Sequence, residues 1–169
     1  APPDAEGAIT NLYVKGTGDP FLVEEQLWRM VGSLREMGLR KIKGNIFIDT
    51  SFFAEEEYPR MNGDSRRAFA AKTSPFAVNF NSVKFIIRPG KKNGDPAHVT
   101  SEPSLPSLQI VNRVKTGGKQ LSVDIAGDES QTHERYMVSG NIPLNAVPKI
   151  LYRNVEHPVP YGGAVLRHL

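Results

Sequence analysis

The chain has 169 residues, 39% of them hydrophobic and 23% charged, with a formal net charge of +3 and no cysteine. A chain of that length and composition buries one core, or two small ones sharing an interface, which argues against disorder. No apolar run approaches the roughly 20 residues that cross a bilayer, so a membrane-spanning helix is not expected. The absence of cysteine excludes disulfides, thiolate catalysis and cysteine-held zinc without fixing a compartment. The cations form short clusters, Arg40-Lys41-Ile42-Lys43, Arg66-Arg67 and Lys91-Lys92, each near acidic or turn residues. They read as scattered solvated surface, not as the contiguous basic face that nucleic acid needs. The chain opens on Ala1-Pro2-Pro3-Asp4 with no secretory leader in view, and this start is expected to be a processing point or the cut of a longer chain.

In chain order, Ile9 to Val14 reads as a strand, stopped by Gly16-Thr17-Gly18-Asp19-Pro20. The period then changes. Leu27, Met30, Val31 and Leu34 recur at helical spacing, Glu24 and Glu25 sit where the helix dipole favours anions, and Gly38 is placed to cap the C-terminus. Lys41 to Asp49 returns to a strand with Ile42, Ile46 and Ile48 on one face. Strand, helix and strand within about fifty residues predict pairing in one sheet. Ser51 to Pro75 is a long excursion containing Glu55-Glu56-Glu57, a turn signal at Asn62-Gly63-Asp64 and Arg66-Arg67, and loops of this length tend to be functional.

Beyond it, Val78 to Ile87 alternates as a strand, followed by short β-like runs at Ala97 to Thr100, Gln109 to Val114, Gln120 to Ile125 and Arg135 to Val138. Gly117-Gly118 sits where a hairpin between two such runs requires positive φ. After Pro143 and Pro148 the chain is apolar again through Ile150-Leu151-Tyr152, and Pro158 to Leu169 has the form of opening helical turns. The pattern predicts an α+β fold: a small mixed sheet with packed helices over residues 1–78 and 143–169, carrying a β-rich inserted subdomain over residues 79–142.

Chemistry-bearing motifs are sparse. His98, His133, His157 and His168 form no pair at metal-ligand spacing, and no Gly-x-Ser-x-Gly supports a serine triad with any of them. Gly16-Thr17-Gly18 follows a strand as a phosphate loop would, but Asp19-Pro20 puts a carboxylate and a missing N–H where the anion would sit. Lys115-Thr116-Gly117 and Ser139-Gly140-Asn141 both occur, yet no serine in the chain has a lysine three places on.

The phrases Gly16-Thr17-Gly18-Asp19-Pro20 and Gly44-Asn45-Ile46-Phe47-Ile48-Asp49-Thr50-Ser51-Phe52-Phe53, with one amphipathic helix between them, resemble the non-catalytic insert of the penicillin-binding D-alanyl-D-alanine carboxypeptidase/endopeptidases. These are the DacB-like serine peptidases, or class C low-molecular-mass penicillin-binding proteins. Ser74-Pro75 to Pro89-Gly90, Arg153-Asn154-Val155-Glu156-His157-Pro158 and Tyr161-Gly162-Gly163-Ala164 extend the resemblance over nearly the whole chain. That family uses Ser-x-x-Lys, Ser-x-Asn and Lys-Thr-Gly in that order. Here the first is missing and the other two come reversed, so both triplets are expected to be coincidental.

The resemblance therefore implies a piece of a periplasmic peptidoglycan hydrolase that has no catalytic residue of its own and needs no cofactor or metal. Its implied partners are the catalytic domain of the same parent chain and the peptidoglycan stem peptide. By the same resemblance Asp64 and Phe69 face the substrate, the carboxylate meeting the amine of diaminopimelate and the ring covering its methylenes, while Met61 stands where an aromatic is common. The alternative for these residues is an ordinary polar turn at Asn62-Gly63-Asp64 with Phe69 packed beneath it. For the whole chain, the alternative is a free-standing module that binds cell-wall peptides or a protein without catalysis.

Overall fold

The computed structural model describes residues 2–52, 71–128 and 130–169. It is an α+β fold, and the described residues divide into two compact units. One gathers residues 2–52, 73–80 and 158–169; the other gathers 71–72, 81–128 and 130–157.

In the first unit the expected strands are each broken in two. Strands β1 (Ala8–Ile9) and β2 (Leu12–Lys15) pair in parallel with β3 (Lys41–Ile42) and β4 (Ile46–Asp49), Ala8 opposite Lys41 and Leu12 opposite Ile46. The breaks coincide because the chains are tied there by other bonds: Gly44 N–H donates to Thr10 O at 2.7 Å, and Asn45 N–H to Asn11 Oδ1 at 2.9 Å.

The crossover is helix α1 (Glu24–Glu36), which buries Leu27 completely and leaves Met30 half exposed. Its N-terminus is capped from a distance. Asn79 Oδ1 accepts the Glu24 N–H at 2.9 Å, and Gln26 Oε1 accepts the Val23 N–H at 3.3 Å. At the other end Gly38 (φ +94) donates to Arg35 O and Leu39 to Leu34 O, the paired bonds of a Schellman cap.

The Gly16 to Pro20 phrase has a packing role. A Cβ on Gly16 would lie 2.6 Å from Pro75 O, and Gly18 N–H donates to that same oxygen at 2.8 Å. Helix α2 (Pro158–His168) packs on α1 and β4, with prolines in its first turn where their missing N–H costs nothing. A side chain at Gly162 would meet Phe76 and Val78 at 2.8 to 3.0 Å, so glycine sets how closely this helix approaches that segment.

The expected strand over 78–87 begins later. Asn79, Phe80 and Asn81 all have positive φ and form a short 3-10 turn, since Asn79 is held as the cap of α1; β5 then runs Ser82–Arg88. It is the centre of an antiparallel sheet, flanked by β6 (His98–Glu102) and β10 (Lys149–Asn154). The pairing of β10 with β5 belongs to the second unit, which runs on to residue 157.

A second sheet has the order β7 (Gln109–Thr116), β9 (Arg135–Ile142), β8 (Ser122–Gly127), parallel between β7 and β9 and antiparallel between β9 and β8. Phe85 of the first sheet meets Tyr136 of the second edge-on, ring centroids 5.0 Å apart, both fully buried. Such a pair adds about 0.5–1.5 kcal/mol to what burial of each ring contributes.

Candidate functional site

The densest group of buried polar side chains among the described residues lies in the second unit, at the end of the strands where β5 begins and β10 ends. Glu134, one residue before β9, is buried. Its Oε2 accepts the Tyr136 hydroxyl at 2.6 Å and the Glu156 N–H at 3.1 Å; its Oε1 accepts the His157 N–H at 2.7 Å. The Tyr136 hydroxyl also lies 3.1 Å from Asn154 O. Burying a carboxylate costs several kcal/mol unless donors replace water, and three protein donors do so here. With those sites engaged, Glu134 anchors the chain at 154–157.

Three passes of the chain are tied together beside it. Asn81 O accepts the Val155 N–H at 2.8 Å, Asn81 Nδ2 donates to Lys72 O at 2.7 Å, and Lys72 Nζ donates to Glu156 O at 3.2 Å. Asn81 Oδ1, both amide atoms of Asn154 and His157 Nε2 are buried without a hydrogen-bond partner. Nearby charges are matched: Lys84 with Glu102 at 2.7 Å and Arg135 with Asp128 at 3.5 Å. The hydrogen bond to Glu102 raises the Lys84 pKa, and the Ser130 hydroxyl holds the Asp128 carboxyl below its usual range. No group of three or more His, Asp or Glu side chains able to hold a metal occurs among the described residues.

The two motif-like triplets are brought side by side. Lys115 pairs with Asn141 and Arg113 with Ser139 across β7 and β9. Asn141 and Gly140 are engaged by the neighbouring backbone. Asn141 Nδ2 donates to Gly117 O and Gln120 O, bracing the turn between β7 and β8. Gly140 (φ +117) leaves no room for a side chain, since a Cβ would overlap Ser122 O. Gly117 and Gly118 do have positive φ, but the expected hairpin is not formed, because β9 lies between β7 and β8.

Met61, Asp64 and Phe69 lie outside the described residues. The Glu134 anchor was missed. Its signal was parity: residues 134, 136 and 138 continue one buried face of β9 by a step beyond the strand.

The fold places the chain among α+β proteins that carry a β-rich subdomain. The model of the D-Ala-D-Ala carboxypeptidase 3 (S13) family matches residues 3–168, and the chain belongs to that family. It is 40% identical over 165 residues to the D-alanyl-D-alanine carboxypeptidase DacB of Haemophilus influenzae, a match covering 93% of this chain and 33% of that protein. A D-alanyl-D-alanine carboxypeptidase of an Actinomadura species is 26% identical over 172 residues, 95% of this chain and 31% of the relative. The crystal structure of penicillin binding protein 4 (dacB) from Haemophilus influenzae superposes with a TM-score of 0.74 at 22% identity, covering 96% of this chain and 36% of that one, which is a likeness of fold. The chain thus spans 31% to 33% of the length of the curated relatives it matches.

Proposed function

We propose that this chain is the non-catalytic insert of a serine-type peptidoglycan D-alanyl-D-alanine carboxypeptidase/endopeptidase, shaping one side of the substrate cleft and orienting the enzyme on the cell wall. One observation carries the reading: a single family model runs through residues 3–168, yet no serine in those residues is followed three places on by the lysine that would activate it. In the parent, a serine supplied by another part of the polypeptide takes the peptidyl acyl group from the D-Ala-D-Ala peptide, the terminal D-alanine or cross-link partner leaves with the amine, and water then hydrolyses the acyl-serine. The parent works in the periplasm, and its partners here are its own catalytic domain and the stem peptide.

Within the insert, Asp64 meets the free amine of diaminopimelate, and Phe69 with Met61 walls its methylene stem. A carboxylate selects an ammonium, and apolar side chains select the methylenes beside it. Fluorescent penicillin tests the central claim. The isolated chain stays unlabelled while the full-length parent reacts; covalent labelling of the isolated chain would end this reading. In the parent, Asp64→Ala lowers kcat/KM on peptides that carry the diaminopimelate amine by about tenfold or more and spares peptides that lack it. Equal losses on both would remove Asp64 from the site.

A further inference from the structure

Cations that are far apart in sequence meet at one end of the β-rich unit. β5 ends at Arg88, opposite His98 at the start of β6, and Lys149 at the start of β10 lies opposite Ile87. β7 and β9 end there in register, Thr116 opposite Ile142, and β8 starts there with Ser122 opposite Asn141. Thr116 stitches the 89–97 connection to this end: its Oγ1 accepts the Gly90 N–H, its carbonyl accepts the Gly94 N–H, and its own N–H donates to Asp95 O. The connections 89–97, 117–121 and 143–148 therefore share one end of the unit. The Lys91-Lys92 pair thus shares one surface with cations that stand singly in the sequence.

That surface carries Arg88, Lys91, Lys92, Lys115, Lys119 and Lys149, all exposed, and none takes part in the described ion pairs. The three connections contain one acidic residue, Asp95, whose carboxylate already accepts the Lys92 N–H at 3.2 Å. The same loops and the strand ends beside them hold out apolar side chains: Val147 is 82% exposed, Ile150 46% and Leu121 41%. Unpaired cations alone fit any polyanion. Cations interleaved with protruding aliphatic side chains fit a bilayer interface, where phosphates meet the lysines and the aliphatic groups enter the acyl boundary. A nucleic-acid strand would instead be met by stacking aromatics, and none stands in these connections.

We propose that this lysine-bearing end docks on an anionic phospholipid surface. The inference is independent of the insert reading, because it is tested on the chain itself. The chain sediments with vesicles of phosphatidylglycerol and phosphatidylcholine and stays in solution with pure phosphatidylcholine. Raising salt from about 0.1 M to about 1 M releases it, as the screening length falls from about 10 Å to about 3 Å. Lys91→Glu with Lys92→Glu weakens partition about tenfold or more, and Val147→Ser about threefold, with thermal midpoints unchanged. Failure to sediment with the anionic vesicles overturns the proposal, as does equal sedimentation with both vesicle types or retained binding after the double reversal. Tighter binding to a single-stranded oligonucleotide than to the vesicles, or no effect of Val147→Ser, overturns the membrane as partner.

Discussion

The two ends of the β-rich unit handle charge in opposite ways. At one end three acids meet donors: Glu134 holds three, Asp128 lies 3.5 Å from Arg135, and Glu102 lies 2.7 Å from Lys84. At the other end six cations stand without described ion pairs among exposed aliphatic side chains. The contrast separates charge that holds the fold from charge that the fold holds out. Removing the buried Glu134 destabilises the protein, because buried donors lose their acceptor; removing the exposed cations leaves stability alone and changes only what the surface attracts.

The largest expected break in that contrast is Glu134→Ala. It takes the acceptor from the amides of Glu156 and His157 and leaves the Tyr136 hydroxyl to Asn154 O, and should lower unfolding stability by about 3 kcal/mol in a urea titration. A loss below about 1 kcal/mol would mean that water replaces the carboxylate and that the anchor is not buried in solution. Gly140→Ala tests the adjacent sheet in a different way. Its methyl must displace the Ser122 carbonyl from a backbone already at positive φ, so a loss of about 2–3 kcal/mol is expected, with β8 losing amide-exchange protection first.

Tyr136→Phe is a finer probe. It removes one hydroxyl and keeps the ring against Phe85, so about 1 kcal/mol should go while near-ultraviolet dichroism is retained. At the lysine-bearing end, Lys91→Glu with Lys92→Glu should move stability by no more than about 0.5 kcal/mol.

Acid gives the smallest effect, and its sign follows from Asp128. The Ser130 hydroxyl, with Arg135 behind it, lowers the folded carboxyl below its ordinary value. The folded state therefore binds this proton less readily than the unfolded chain does. The contribution is complete above the ordinary carboxylate range and is lost as pH falls through the lowered folded value. Ser130→Ala should narrow that acid-dependent loss, read as a smaller difference in thermal midpoint between pH 6 and the acid limb.

Much of the architecture was legible in the amino acids. Helix α1 was marked by Leu27, Val31 and Leu34, by its leading glutamates and by Gly38, because all of those signals are local. The strands of the 97–138 stretch were likewise visible as alternation. What escaped depended on distant partners. β5 starts late because Asn79 is recruited to the tip of α1, and no neighbour of Asn79 announces that. The partner of β7 proved to be β9, a pairing that a pair of glycines in the intervening turn cannot foretell. The cations of Lys91-Lys92, Lys115, Lys119 and Lys149 are scattered in sequence and gathered only by strand register. Of the candidate site, Asp64, Phe69 and Met61 came from family phrasing, since a carboxylate five residues before a ring is by itself an ordinary loop.

The bond from Val155 to the carbonyl of Asn81, 2.8 Å long, means that the segment of 73 residues between them starts and finishes at neighbouring points. A stretch with such closely spaced ends behaves as a cassette. It can be excised and the gap spanned by a few residues, or exchanged for another fold, at little cost in loop closure.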